Sequence, residues 1–205
     1  MTKKKEPTFT TLNQIASTLA EAVRPPERLS VSDAAEKYRW INNPGSYVGP
    51  WKNETTPYLV EFMDVLTSVD FTGAVFVGPA QTGKTDVLFN WLTHSIICDP
   101  ADMMIIQTSG ATAREFSKTK VDRFLRHTKE AGMRLIKARD SDNVLSKLFR
   151  NGMRLSISWP SINELSGKSI RYLWLTDYDR MPKDIDGEGS PFDLARKRAT
   201  SFRRF

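Results

Sequence analysis

Cysteine and histidine are scarce: Cys98, His94 and His127 are the only ones in 205 residues. A single cysteine excludes an internal disulfide framework and a cysteine-cluster metal site, and it suits a reducing cytoplasm. The two histidines have no partner at ligand spacing, so neither reads as a metal ligand. Long apolar runs are missing as well. No stretch approaches the roughly 18 apolar residues of a membrane span. The opening MTKKKEP is basic but lacks the apolar core of a secretory signal, so the expectation is a soluble chain with no membrane partner. There is no internal repeat, and low complexity goes no further than Lys3, Lys4 and Lys5.

What is present is ordinary globular material, 40% hydrophobic and 26% charged, enough for one domain with a core and a small appendage. Thirty Lys and Arg against 24 Asp and Glu leave a net charge of +6. That excess favours polyanionic partners such as nucleic acid, although a solvated basic surface has the same composition.

Residues 8–23, TFTTLNQIASTLAEAV, read as a short helix stopped by Pro25 and Pro26, which cannot continue the backbone ladder. Ser30 or Ser32 is placed to cap a second helix through AAEKY. The stretch INNPGSYVGPWKNETTP is rich in Asn, Gly and Pro and reads as loop, with Tyr47 and Trp51 seeking a surface to cover. A third helix, PYLVEFMDVL, starts at Pro57 in the favoured first-turn position.

From residue 72 the pattern changes. AVFV (74–77), MMII (103–106) and YLWL (172–175) are short unbroken apolar runs, as in strands buried on both faces of a parallel sheet. LSISW (155–159) alternates and reads as a strand with one face less buried. Val87, Leu88, Trp91, Leu92 and Ile96 recur at helical spacing, and ATAREFSKTKVDRFLRHTKE forms a long amphipathic helix with a basic outer face. The basic tail LARKRATSFRRF reads as a helix or its exit. Strands alternating with helices predict an α/β fold with a parallel β-sheet flanked by helices.

Between the first run and its helix stand Gly78, Pro79, Ala80, Gln81, Thr82, Gly83, Lys84 and Thr85, a complete Gly-x4-Gly-Lys-Thr phosphate loop in the context such a loop needs. Its glycines let backbone N–H groups turn in around a β-phosphate, and the helix dipole aims at the same anion. Lys84 would bridge β- and γ-oxygens, and the Thr85 hydroxyl would ligate Mg²⁺. ATP and Mg²⁺ are therefore the expected substrate and metal. Such a site also needs a carboxylate at the end of a neighbouring buried strand. YLWLTDYDRMP supplies Asp177, as general base or metal-side ligand, and Asp179 as the second candidate, while Thr176 stands where an acidic pair would begin. The fold class expected is thus that of P-loop NTPases of the ASCE type, preceded by a small helical N-terminal segment: residues 1–56 as helical and loop segment, 57–205 as ATPase domain.

These residues, together with LSVSDAAEKYRWI, GPWKNETTPYLVEFMDVL and DPADMMIIQTSGATAREFSKTKVDRFLR, closely resemble the large terminase subunits of tailed bacteriophages, in particular the lambda-like branch. In that family the second acidic motif runs Asp-Glu-Val-Asp-Arg-aromatic-Pro, then an acidic Gly-Glu-Gly segment, Pro, and a Leu-x-x-x-Arg helix. Asp177, Asp179, Arg180, Pro182, Gly187, Glu188, Gly189, Pro191, Leu194 and Arg198 look like those positions. The resemblance implies a motor ATPase that pumps double-stranded DNA through non-specific backbone contacts. It also implies a terminase small subunit and capsid portal as partners, a homo-oligomer while packaging, and the host cytoplasm as location. Two departures stand out. Thr176 occupies the position of the family's metal-side aspartate, with Asp177 in that of the catalytic glutamate. The family also continues past this point into a coupling motif and a nuclease domain, so the chain reads as the front, ATPase part, of phage or prophage origin. A catalytically incomplete nucleotide-binding module is the alternative reading.

Other candidates follow from the family's habit of placing a segment upstream of the loop over the base. Trp51 and Tyr58 are the candidates for stacking on adenine, though aromatics such as Tyr58 and Phe62 at i, i+4 more often belong to a core. Arg114, Lys118, Lys120, Arg123 and Arg126 could track DNA phosphates. Arg196, Lys197, Arg198, Arg203 and Arg204 could include an arginine given to a neighbouring subunit's nucleotide.

Overall fold

The computed structural model describes residues 11–22, 25–138, 140–165 and 167–202; Lys3, Lys4, Lys5, Arg203 and Arg204 lie outside them. The apolar run MMII becomes β3 (Met103–Ile106), buried along its whole length. It pairs in parallel with β6 (Arg154–Ser158) on one side and β7 (Tyr172–Leu175) on the other. Side chains alternate across this strand, and the core is split accordingly. Met103 and Ile105 face the larger cluster beneath the helix Lys84–Ile97, while Met104 and Ile106 face Leu165, Ile170 and Leu194.

The sheet is mixed, which corrects the expectation of a parallel one. β4 (Asp142–Asn143) and β5 (Ser146–Leu148) add an antiparallel edge, giving the order β4-β5-β6-β3-β7. No apolar run announces this edge, because the middle residue of β5 is Lys147. Its ammonium is buried against Asp122 at 2.9 Å and Asp142 at 2.7 Å. β6 is also corrected. Leu155, Ser156, Ile157 and Ser158 are all buried, so neither face is open. One of the alternating serines is satisfied internally, Ser158 Oγ donating to Glu164 at 2.9 Å.

AVFV is the largest departure. Residues 73–79 belong to no strand among the described residues, and Val75 and Val77 are 84% and 90% exposed. A strand exists only through the N–H and C=O groups of its neighbours. β7 ends the sheet, and no described strand lies beside this run. Only Phe76 is held, its ring meeting Phe62 edge to face at 5.1 Å.

The helical readings fare better. α1 (Leu12–Ala22) precedes α2 (Val31–Tyr38), whose cap is Ser30, accepting from the Asp33 N–H at 3.1 Å. A 3-10 turn from Pro57 leads into α3 (Val60–Val65). The stretch between α2 and α3 is more than a loop: β1 (Trp40–Asn43) and β2 (Tyr47–Pro50) form an antiparallel hairpin. Its turn is built by Pro44, which fixes φ, and Gly45 at φ +84°, with the Ser46 N–H closing on the Asn43 carbonyl at 3.0 Å. α4 (Lys84–Ile97) is buried from Val87 onward. The long basic helix runs as α5 (Gly110–Phe116), a π-helical turn (Ser117–Val121) and α6 (Asp122–His127). α7 (Lys129–Arg134), α8 (Ile162–Leu165) and α9 (Pro191–Ala199) complete the set, α9 capped by Ser190. Val31, Ala35 and Trp51 share the α4 core, so α2 and the stretch around Trp51 pack against the loop helix.

His94, buried in α4, makes stability pH-dependent. Its Nε2 lies 3.0 Å from the Leu29 carbonyl, which can only accept, so Nε2 carries the proton and the buried Nδ1 is bare and without a partner. Burial holds the imidazole below its ordinary 6.5. With the folded value depressed, the stabilisation is present above 6.5 and is lost as pH falls through the folded value, because the unfolded chain takes the proton first. The melting temperature is expected to drop between pH 7.5 and pH 5.5. His94→Gln, whose amide still donates to Leu29, should melt with a flatter pH profile; an equally steep one assigns the dependence elsewhere.

Candidate functional site

The glycine-rich stretch folds as a tight loop closed by its own side chains. Thr82 Oγ1 donates to the Pro79 carbonyl at 2.8 Å, and Lys84 Nζ donates to the carbonyls of Gly78 at 2.8 Å and Pro79 at 2.5 Å. Gln81 is left-handed at φ 63°. Gly83, the cap of α4, has φ +80°, a conformation that demands glycine, and a Cβ there would press on Leu59 Cδ1 at 2.8 Å. No side chain caps α4 at this end. Its first N–H groups are therefore free donors at the positive end of a 14-residue helix. Thr85, in the first turn, is exposed. Donors, a cation and a hydroxyl around an uncapped helix start fit a phosphate chain with its metal.

Asp86, one residue further, was not singled out from the sequence. Its carboxyl is held above the ordinary carboxylate range by burial, opposed by the charges of Arg39 and Lys120. The signal available was an acid in the first turn of the loop helix, where the dipole favours it.

The acidic end of β7 is arranged differently. Thr176 N–H and Oγ1 both donate to the Ile106 carbonyl at 3.0 Å, so its hydroxyl fastens β7 to the end of β3. The chain then turns sharply at Asp177, a left-handed residue at φ 47°, ψ 49°, into the 3-10 turn Tyr178–Arg180. Asp177 and Asp179 are both exposed, and among the described residues no hydrogen bond or ion pair ties their carboxylates to the loop or to anything else. The following acidic glycine segment is closed by Asp184, which accepts from the N–H groups of Gly187 at 2.6 Å and Gly189 at 3.0 Å.

The two aromatic candidates separate. Trp51 is 5% exposed, packed in the core, with its indole N–H on Asn53 at 2.8 Å, so it has no free face for a base. Tyr58 is 60% exposed and is followed directly by Leu59, which abuts Gly83. Arg114, Lys118, Lys120 and Arg126 are exposed along the basic helix and Arg123 is half-buried, while Arg114 lies over the Trp159 ring at 5.6 Å. Arg196 and Lys197 are exposed on α9, and Arg198 reaches back to the Leu194 carbonyl. Cys98 is buried, its thiol pushed up to about 11 by desolvation, which makes it a poor nucleophile. No described helix is long and apolar enough to cross a membrane.

A family model described as phage terminase large subunit gpA, ATPase domain, matches residues 45–205. No curated protein matches the chain. The mixed α/β architecture, a five-stranded sheet flanked by helices, is consistent with an ATPase domain.

Proposed function

Because the chain belongs to the family of phage terminase large subunit gpA ATPase domains, we propose that it is the ATP-hydrolysing motor part of a DNA-packaging terminase. The observation that carries this reading is the uncapped start of α4 behind a complete phosphate loop, with Lys84 Nζ already turned onto two oxygens. The carbonyls of Gly78 and Pro79 stand in for the β- and γ-phosphate oxygens that the ammonium would take as partners. The first N–H groups of α4 hold the same phosphates, and the Thr85 hydroxyl with one strand-end carboxylate holds Mg²⁺. When bound, that ion neutralises charge developing on the phosphate oxygens. Asp177 orients a water and takes its proton as the oxygen bonds to the γ-phosphorus and the bond to ADP breaks. Asp179 is the base if Asp177 serves the metal. Tyr58, exposed and next to the Leu59 that abuts Gly83, is the side chain proposed to stack on the adenine ring, with residues 57–205 as the ATPase portion.

The basic face of α5, the π-helical turn and α6 is the surface proposed for DNA phosphates. Leu12, Ile15 and Leu19 line one side of α1 at helical spacing and are exposed, an apolar stripe that suits a protein partner such as the small subunit or a second copy of the chain. The test is a titration of Mg–ATP with phosphate release followed in the same samples, beside anisotropy of two unrelated labelled duplexes across a salt series. Saturable ATP binding with release is expected. DNA affinity should be micromolar or weaker at about physiological salt, alike for both sequences, and should fall steeply with salt as counterions are released. Failure to bind ATP overturns the reading, and tight, salt-insensitive, sequence-dependent DNA binding points to a regulator instead.

A further inference from the structure

Arg39 is a buried cation. It caps α2, leads into β1, and its side chain is only 6% exposed. The guanidinium carbon lies 5.3 Å from the centre of the Phe89 ring and 5.1 Å from that of Phe124, and those two rings stack on each other at 5.0 Å. Nη1 donates to the Trp40 carbonyl, Nη2 stands 3.5 Å from Asp86 Oδ1, and Nε has no partner. A guanidinium withdrawn from water this far is costly to keep unless its charge is used. The carboxylate it meets belongs to the same helical turn as Lys84 and Thr85.

We infer that Arg39 is a positioning residue for the phosphate loop: it holds Asp86, and so sets the roll of the first turn of α4 that carries Lys84 and Thr85. The inference rests on the reading of residues 78–85 as a nucleotide site. In an α-helix, residues two apart point about 200° from each other. A bond made by Asp86 on the protein side therefore fixes where Lys84 points on the ligand side.

The seat of Arg39 is shared with the basic helix. Phe89 of α4 stacks between Phe116, at 5.8 Å with the rings 2° from parallel, and Phe124. Eight residues of regular α-helix would leave positions 116 and 124 about 80° apart. The π-helical turn between them has wider i→i+5 bonding and unwinds the helix, which brings both rings onto the α4 side. The phase of the basic face and the roll of the loop helix are thus set at one aromatic stack, with Arg39 covering its edge.

Arg39→Met keeps length and apolar packing, and Asp86 remains 33% exposed with access to water, so the fold is expected to survive with a melting temperature near that of the wild type. Three further readouts decide the matter. Amide exchange should quicken in the first turn of α4 and stay unchanged in β3. Affinity for Mg–ATP should fall about tenfold, the scale of coupling between contacting groups. Asp86→Asn should show the same loss, the double variant no more than either single one, and Arg39→Lys a loss in between. Wild-type affinity with unchanged exchange at the loop helix overturns the inference, as does exchange that quickens equally in β3, which would make Arg39 a general stabiliser. A wild-type protein that does not bind Mg–ATP at all overturns the nucleotide-site reading itself, whatever the exchange shows.

Discussion

Lys84→Ala is expected to weaken Mg–ATP binding at least about tenfold, equivalent to about 1.4 kcal/mol. The ammonium is the only cation in the loop, and its three protons make it a point charge for bridging phosphate oxygens. It is turned inward onto the carbonyls of Gly78 and Pro79, so its bonds also shape the loop. Alanine removes both the attraction and that shaping, yet it is a strong helix former in the first turn of α4, so folding should be untouched. Titration calorimetry with circular dichroism as a folding control measures both. Equal affinities in a folded variant would sink the assignment of the site.

Asp177→Asn is expected to abolish phosphate release while Mg–ATP stays bound. A base that takes the water proton contributes about 10²- to 10⁴-fold, and an amide cannot take it. The reverse change is expected at the residue before it. Thr176 spends its hydroxyl on the Ile106 carbonyl, where an ionised aspartate would meet acceptor with acceptor. Thr176→Asp should therefore turn its carboxylate outward, beside Asp177, and raise the rate by adding a metal-side acid. Single-turnover phosphate release compares the three proteins. If Asp179→Asn stops turnover and Asp177→Asn does not, the base is Asp179 and Asp177 belongs to the metal.

What was legible in the sequence was local. The loop depends on residue types at fixed spacing within eight positions, and Ser30 caps α2 by a bond three residues along. β3 was legible because it is buried by both neighbouring layers; the run of β7 reads the same way, yet only Tyr172 of it is fully buried, because β7 is the edge of the sheet. AVFV has the same composition and failed, since strand membership is a relation between segments and the run has no described partner. The hairpin of β1 and β2 was hidden by turn-forming residues, although Asn43-Pro44-Gly45-Ser46 carries the turn in its own chemistry. In β6 the serines imitate a wet face until Glu164 is seen across from Ser158. Trp51 could be assigned to base or core only by knowing what lay opposite. Arg39 and Asp86 are 47 residues apart, and nothing local pairs them.

The lack of sheet bonds along residues 73–79 has a mechanical side. On one flank the phosphate loop is joined to a segment outside the sheet, held ahead of the loop by Phe76 packed on Phe62. On the other it is continuous with a rod, α4, clamped by the core along most of its length. A displacement at the loop would follow the stiffer path, along α4 to everything packed on that rod: α2, the aromatic stack on the basic helix, and, through Trp91 on Tyr172, the sheet itself.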